Sequence, residues 1–117
     1  MTTIIDPLGT PSIVYNRSGS ALITMNAAGT SAGTGAAIPY VCGHTIVVAT
    51  WVSVSNFAVV LPTGSEIGDC VEVFGTTSDN INLFAPTGET IDGGPPSVDR
   101  NKGRRCIKVS STSWRSI

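Results

Sequence analysis

Hydrophobic and polar residues alternate over short segments of this 117-residue chain, which is the pattern of β-strands. The segments "SIVYN" and "ALITM" flank the turn-forming "RSGS", so they predict a hairpin. In "DCVEVFG" the two valines share a face opposite Glu72, and in "NINLFA" Ile81 and Leu83 share a face. No segment has a helical period longer than one turn. We therefore predict an all-β protein.

Further segments predict strands that differ in which side chains face the core. In "RRCIKVSS" we expect Ile107 and Val109 to point inward and Lys108 outward, and "SWRSI" is the last predicted strand. The strongest signal is "HTIVVATWVSV", residues 44–54, because both of its faces are apolar, as in a strand covered on both sides. In so small a domain we expect one cover to be a neighbouring subunit, with Val47 and Trp51 as candidate contacts. "FAVVL" is predicted as the return strand.

Two segments lack the composition of a core element. Residues 1–12, "MTTIIDPLGTPS", hold two prolines and a glycine, which exclude a helix, yet their apolar side chains need burial. An extended arm docked on another surface and a disordered leader both fit. Residues 26–37, "NAAGTSAGTGAA", hold no large side chain and predict a flexible loop, or one ordered only against a partner. The predicted organisation is an arm over 1–12 and one domain over 13–117, a small antiparallel β-barrel or β-sandwich.

Two short sequences recur. "PTG" occurs at 62–64 and at 86–88, an offset of 24, and each glycine is expected to have a positive φ before an isoleucine (Ile67 or Ile91) that returns to the core. "CVEV" at 70–73 resembles "CIKV" at 106–109, and their outward residues Glu72 and Lys108 are predicted neighbours of opposite charge. We interpret both repeats as reused architecture.

The composition favours a protein that packs against neighbours. Only 13% of residues are charged and 41% are hydrophobic, against roughly a quarter charged in ordinary soluble domains. The net charge of −1 does not attract nucleic acid or a membrane surface. Six of the seven basic residues lie in the last 18 positions, whereas most carboxylates lie in 66–99, so we predict cross-strand ion pairs. The alternative is a polyanion-binding patch of Arg100, Lys102, Arg104 and Arg105.

The number of cysteines and the N-terminal sequence indicate the cellular compartment of the protein. Cys42, Cys70 and Cys106 form an odd set without CxxC spacing, so we expect small buried hydrophobes, with a Cys70–Cys106 bridge as the alternative. The N-terminus has no basic region before a long apolar core, so no signal peptide is predicted. No run approaches the roughly 18 apolar residues of a membrane helix. The sequence predicts a soluble protein made in a cytoplasm.

Catalytic and cofactor motifs are missing from the sequence. His44 is the only histidine, no GxSxG nucleophile motif is present, and one histidine with three scattered cysteines has no zinc-site spacing. "GTSAGTGAA" lacks the GK[ST] ending of a phosphate-binding loop. A catalytic pair of carboxylates, as in glycoside hydrolases, is the alternative that the sequence leaves, since four carboxylates lie near turns: Glu66, Asp69, Glu72 and Glu89. We predict that the chain is not an enzyme and has no cofactor or metal.

The second half resembles a β-module common in structural proteins of tailed bacteriophages. The resemblance covers Val59 to Ile117 and rests on "VVLPTGSEIGDCVEVFG", "NINLFAPTGETIDGG" and "GRRCIKVSSTSWRSI". The opening "MTTIIDPLGTPSIVYNRSG" resembles the N-terminal arm of small head decoration (cement) proteins, especially those of cyanophages. Such proteins sit as trimers on the capsid lattice and brace the shell.

This resemblance implies a function and a set of contacts. The chain would be a homotrimer on the capsid surface of a virion, bound to the major capsid protein, with no nucleic acid partner. Ile4, Ile5, Pro7, Leu8 and Pro11 would contact the shell or a sister subunit. A tail-fibre, head-fibre or collar module that binds host glycans through Trp51 or Trp114 is the alternative, although a coiled coil and a collagen-like repeat are missing. A small hydrolase or lectin is a third class.

Overall fold

The computed structural model describes residues 2–4, 11–17, 19–75, 79–92, 97–99 and 102–117, and of residues 2–4 only the backbone. These ranges form strands and contain no helix, so the all-β prediction is confirmed for them. They accordingly hold no helix of the length and apolar character needed to cross a membrane. The strands are β1 (Thr2–Ile4), β2 (Ser12–Tyr15), β3 (Ser20–Asn26), β4 (Ala36–Ala37), β5 (His44–Thr50), β6 (Ala58–Val60), β7 (Cys70–Gly75), β8 (Ile81–Phe84), β9 (Thr90–Asp92), β10 (Ser97–Val98), β11 (Gly103–Ser110) and β12 (Ser113–Ser116).

The middle of the chain winds in stacked coils, each of which gives one strand to each of two sheets. Strands β3, β5 and β7 are parallel neighbours: Ser20 pairs with His44, 24 positions later, and His44 pairs with Cys70, 26 positions later. Strands β4, β6 and β8 are parallel neighbours in the other sheet, where Ala58 pairs with Asn82, 24 positions later. This arrangement is a β-solenoid, in which each coil contacts only the next one.

Antiparallel hairpins extend the coils at both ends of the large sheet. In the described residues its strand order is β1-β2-β3-β5-β7-β11-β12-β9, and that of the small sheet is β10-β8-β6-β4. The predicted hairpin at residues 12–25 is confirmed as the antiparallel pair β2–β3. At the other end the hairpin β11–β12 lies between β7 and β9, antiparallel to β7 and parallel to β9. The large sheet is therefore mixed.

This topology corrects the expectation of an antiparallel barrel or sandwich. Side chains alternate in the same way in parallel and antiparallel strands, so the pattern of apolar residues does not show strand direction. The segment "FAVVL" illustrates the error: it was predicted to return beside residues 44–54, but β6 lies in the other sheet and is parallel to β4 and β8. The intervening turn, closed by the bridge between Ser53 and Asn56, carries the chain from one sheet to the other.

The core lies between the two sheets. Alternate residues of the large-sheet strands face alternate residues of the small sheet, and the predicted inward pairs Val71/Val73 and Ile81/Leu83 are confirmed as buried. The core cluster comprises Ile23, Met25, Ala27, Ile38, Val47, Ala49, Val59, Leu61, Val71, Val73, Ile81, Leu83, Ile91, Val98, Cys106 and Trp114. Val47 is 0% exposed, so its assignment as a partner contact was wrong: it faces the small sheet of its own chain.

The recurring PTG sequence marks the same corner of two successive coils. Val60 pairs with Phe84 in the small sheet, so the turns that follow β6 and β8 lie one coil apart. Gly64 and Gly88 have φ of 84° and 86°, a region that residues with a Cβ rarely adopt, which confirms the predicted positive φ. The prediction that the next isoleucine returns to the core holds for Ile91 but not for Ile67, which is 67% exposed. Its turn ends at the open corner before β7.

Strand β11 faces opposite to the prediction. Its register with β7 places Cys106 beside Val71, whose side chain points into the core. Cys106 and Lys108 are therefore buried, and Val109 is 44% exposed. The predicted pairing of Lys108 with Glu72 is also wrong for this reason, because the two side chains lie on opposite faces of the sheet.

The charge of Lys108 is paired inside the protein. Its Nζ donates to Glu89 Oε1 at 2.7 Å, and Trp114 Nε1 donates to the same oxygen at 2.8 Å. The ammonium also lies 5.6 Å from the centre of the Trp114 ring, within cation–π range. A buried charge needs such partners, since an unpaired one costs several kcal/mol.

The small-residue segment 26–37 is ordered by its own chain. Ala28 N–H donates to Ala58 O at 3.0 Å, and Gly29 N–H donates to the Asn56 side-chain oxygen at 3.0 Å. A Cβ at Gly29 would overlap the Thr34 backbone carbonyl, and β4 follows directly at Ala36–Ala37. The small side chains therefore let the corner lie closely against the next coil, which is the ordering partner the sequence required.

Candidate functional site

The outer face of the large sheet is the surface that faces away from the core. Strand pairing aligns its side chains in rows that run across neighbouring strands. The first row contains Ser20, His44, Cys70 and Ile107; the second contains Val14, Leu22, Ile46, Glu72 and Arg105; the third contains Ser12, Thr24, Val48, Phe74 and Gly103. Because the coils are stacked, residues one coil apart in sequence are neighbours in space.

Apolar side chains form a continuous area on this outer face, which we name the apolar band: Val14, Leu22, Ile46, Val48 and Phe74. Leu22 and Phe74 are each 40% exposed, and the other three are half-buried by their neighbours. Phe74 lies over Gly103, where a Cβ would be 2.6 Å from its Cδ1. Single exposed apolar residues are ordinary, whereas adjacent ones form a patch of the kind that other proteins can cover.

A charged cluster borders the apolar band. Arg105 Nε donates to Glu72 Oε1 at 3.0 Å, and Arg105 Nη2 lies 2.9 Å from the same oxygen in an ion pair. His44 Nε2 lies 3.8 Å from the same oxygen, and His44 Nδ1 is 3.0 Å from Ser20 Oγ. Beside Arg105 and Phe74 the surface has a shallow depression of about 340 Å³, which Ile117 also lines. Glu72 thus lies between two side chains from the strands on either side, and Arg105 is the one that bonds it.

Three potential metal ligands meet in this cluster. Of the residues the structure describes, His44, Cys70 and Glu72 form the group whose ligand atoms could hold a metal ion, with all three atoms within 4.8 Å of one another. Each side chain is half-buried. Burial raises the pKa of the Cys70 thiol, and the charge of Arg105 opposes part of that rise. The spacing of these residues along the sequence did not indicate a site.

The three cysteines are free thiols in this structure. Cys106 points into the core, whereas Cys70, which pairs with the neighbouring Ile107, points outward. Their side chains therefore lie on opposite faces of the large sheet, so the alternative Cys70–Cys106 bridge is not formed. The expectation of a small buried hydrophobe is met by Cys106, while Cys42 and Cys70 are half-buried.

The residues predicted to contact a partner have separate locations. Ile4 ends β1, the edge strand that pairs with β2, and Pro11 is half-buried just before β2. Ile5, Pro7 and Leu8 lie outside the described residues. Trp51 is half-buried at the end of β5, where it packs against the core.

Two of the four residues of the predicted basic patch have partners within the chain. Arg100 lies outside the described residues, and Lys102 is exposed. Arg104 donates to Ser97 O at 3.2 Å and to Ser116 Oγ at 2.9 Å, while Arg105 pairs with Glu72. The favoured prediction, that the basic C-terminal residues pair with carboxylates of neighbouring segments, is confirmed by Arg105–Glu72, Lys108–Glu89 and Arg115–Asp92.

A second concave surface lies at the corner after β5. It has a volume of about 280 Å³ and is lined by two aromatic rings and several polar side chains: Trp51, Val54, Phe57, Asp79, Asn80 and Asn82. The side chain of Trp114, by contrast, is fully buried and donates to Glu89. Of the two tryptophans proposed for stacking on sugars, the structure therefore leaves Trp51.

Sequence reasoning missed most of the outer face. Leu22 and Phe74 belong to strands that were predicted correctly, but no residue pattern within one strand reveals what lies beside it. The signal was the repeat of about 24 residues, because Ser20, His44 and Cys70 are 24 and 26 positions apart and occupy one row. Applied to every strand, the offset of 24 seen in the PTG turns would have brought Ser20 and His44 together, but it falls two residues short of Cys70.

Comparisons with known proteins support the fold and leave the function open. No family model and no curated protein matches this chain. A solved structure described as "Structure of a chaperone-substrate complex" is similar, with a TM-score of 0.57 and 17% sequence identity. The match covers 89% of this chain but 20% of that one, so this chain spans about a fifth of its structural neighbour. At this identity the similarity concerns the fold alone.

Proposed function

We propose that this chain is a virion structural protein, a decoration (cement) protein that binds and stabilises an icosahedral phage head as a homotrimer. The observation that carries the proposal is the apolar band on the outer face of the large sheet. Five neighbouring apolar side chains on a flat surface lose contact with water when another protein covers them, at roughly 25 cal/mol per Å² of apolar area.

The proposed role requires only contacts, and these act by mass action. A protein that binds the assembled shell but not its separate subunits stabilises the shell in proportion to RT ln(1 + [L]/Kd). A trimer binds at several equivalent positions, so weak contacts are multiplied through high effective concentration. A chain with 13% charged residues has little charge repulsion to oppose such close packing.

The N-terminal segment extends the proposed contact surface. Strand β1 is the edge of the large sheet, next to β2, whose Val14 belongs to the apolar band. A contact made by this segment would therefore lie beside the band. We assign Ile4, Ile5, Pro7, Leu8 and Pro11 to contacts with the major capsid protein or a sister subunit, as the resemblance to head decoration proteins implies.

The test is binding to expanded phage heads that lack this protein. We expect the wild-type chain to co-sediment with the heads, and the double variant Leu22→Lys/Val48→Lys to remain in the supernatant while still folded. Thr63→Lys, which adds a charge at an exposed turn away from the band, is the matched control and should bind. Undiminished binding of the double variant would exclude the apolar band as the contact surface.

Deletion of residues 1–11 tests the arm separately. The deletion removes the edge strand β1 but leaves β2 and the core in place. We expect a folded oligomer that no longer coats heads. Coating at wild-type density would show that the arm has no part in attachment.

A second function is favoured by the concave surface at Trp51. An aromatic ring beside carboxamide and carboxylate groups, as in Trp51 with Asp79, Asn80 and Asn82, suits the apolar face and the hydroxyls of a sugar. A tail-fibre, head-fibre or collar module binding host glycans would use this surface. On a glycan array, wild-type binding lost in Trp51→Ala and kept in Tyr40→Ala, an exposed aromatic elsewhere, would favour this function over decoration.

A further inference from the structure

The solenoid brings His44, Cys70 and Glu72 together although 26 residues separate the first two. Strands β5 and β7 are parallel and in register, so His44 is directly paired with Cys70. Glu72 follows two residues later on the same face of β7, and its carboxylate turns back toward the histidine. One nitrogen, one sulfur and one oxygen atom thus lie within 4.8 Å of one another on a rigid sheet.

The histidine is held in the orientation that a metal ligand requires. Ser20, on the neighbouring strand β3, places Oγ 3.0 Å from His44 Nδ1. When Nδ1–H donates to this hydroxyl, Nε2 keeps its lone pair for a metal ion, and this nitrogen lies 3.8 Å from Glu72 Oε1. Metal-binding histidines usually donate their second ring nitrogen to a neighbouring group in this way, which fixes both the tautomer and the ring.

We propose that His44, Cys70 and Glu72 form a three-ligand binding site for a transition metal of the Zn²⁺ class. A set of imidazole, thiolate and carboxylate suits Zn²⁺ and excludes Ca²⁺ and Mg²⁺, which prefer oxygen ligands alone. Tetrahedral zinc with bonds of about 2.0–2.3 Å holds its ligand atoms about 3.4–3.7 Å apart. To close on the ion, the three atoms, which lie within 4.8 Å of one another, would approach by up to about 1 Å.

The half-buried setting leaves a fourth position for water or for a group of another molecule. Arg105 is the opposing feature, because its guanidinium holds Glu72 Oε1 at 2.9 Å and repels a cation. The carboxylate has a second oxygen available for the metal. Arg105 thus sets the affinity without occupying the ligand positions of His44 or Cys70.

The experiment is a titration of the metal-free full chain with Co²⁺ and then with Zn²⁺. A thiolate ligand gives cobalt an intense charge-transfer absorption, so this band reports Cys70 directly. We expect one Co²⁺ per chain, displaced by one Zn²⁺. Cys70→Ser should abolish the band and weaken Zn²⁺ binding at least tenfold, and His44→Gln should also weaken binding at least tenfold. Arg105→Met should strengthen it.

The matched control is Cys42→Ser. Cys42 is also half-buried and lies near His44, but its thiol donates to the His44 backbone carbonyl at 3.1 Å. This variant should keep the band and the affinity. Circular dichroism checks that each variant is folded. If Cys70→Ser does not fold, the weaker binding expected for His44→Gln tests the site instead. A wild-type chain without the cobalt band at millimolar metal, or a band that survives in Cys70→Ser, overturns the proposal.

Discussion

At the scale of residues, burial decides how much each charged contact contributes. Lys108 and Glu89 are 4% and 13% exposed in their side chains, whereas Arg115 and Asp92 are 63% and 59% exposed. Exposed pairs gain little because water screens them, and ordering their side chains costs entropy. In the buried pair, each charge depends on the other and on Trp114.

Lys108→Met should therefore destabilise the protein much more than Arg115→Met. The first variant leaves Glu89 in the interior with only the Trp114 N–H as its partner, at a cost of about 3 kcal/mol in the free energy of unfolding. The second should change that free energy by less than about 1 kcal/mol. Urea denaturation measures both, and equal losses would contradict the assigned burial.

Of Gly33 and Gly29, two glycines in the same loop, substitution by alanine should destabilise the protein more at Gly29. Its φ is 62°, and a Cβ there would overlap the Thr34 carbonyl, so Gly29→Ala strains the backbone and displaces the corner. We expect a loss of about 2–4 kcal/mol. Gly33→Ala is the control, because its Cβ would meet nothing nearer than Ser31 Oγ at 4.0 Å. Thermal unfolding of both variants measures the difference, and similar melting temperatures would contradict the loop geometry.

Ionisation of the Cys106 thiol should lower the free energy of unfolding at high pH. Burial raises the pKa of its thiol from 9.0 to about 11, with Arg104 acting in the opposite direction. The unfolded chain therefore releases this proton first as pH rises. The stabilisation is complete below pH 9, and about 2–3 kcal/mol of it is lost by pH 11. Unfolding free energies across this range should fall less steeply in Cys106→Ala, and parallel curves would contradict the prediction.

At the scale of elements, the two faces of β5 differ although both are apolar. Thr45, Val47 and Ala49 face the core, and His44, Ile46 and Val48 face outward. The sequence predicted this strand and the separation of its faces correctly. It did not show which face was internal, because that depends on the coil stacked beside it. The same reason explains the reversed facing of β11, where the register with β7 decides.

Val47→Ala and Val48→Ala should separate folding from association. Val47 is fully buried, so its truncation leaves a cavity and should cost about 1–3 kcal/mol without altering contacts between molecules. Val48 lies in the apolar band, so its truncation should cost less than about 1 kcal/mol. Denaturation and gel filtration of both variants test this. An oligomer lost in Val47→Ala while the protein stays folded would restore Val47 as a partner contact.

At the scale of the whole molecule, strand content was more predictable than topology. Alternation located the hairpin β2–β3 and the strands β5, β7 and β8, because local patterning and turn residues determine them. Coil stacking depends on pairings between distant segments, and its only trace was the offset of 24 in the PTG turns. A period of this length is typical of solenoids. His44, Cys70, Glu72 and Arg105 were each named from sequence, but not as one site, because their proximity across strands follows from the stacking.

The apolar band depends on single residues, on their strands and on the fold of the whole chain. It consists of outward residues from four strands that only the stacked coils and the N-terminal hairpin bring together. The low charge of the chain, which first suggested close packing with neighbours, is explained by this surface together with the core. Its exposure in a single chain is the reason for expecting a partner.

Sedimentation equilibrium of the wild-type chain and of Leu22→Lys/Val48→Lys over a wide concentration range tests that expectation most directly. We expect a trimer for the wild type and a folded monomer for the variant, with Thr63→Lys still trimeric. A wild-type chain that stays monomeric at the highest concentration, or a variant that assembles equally well, would contradict it.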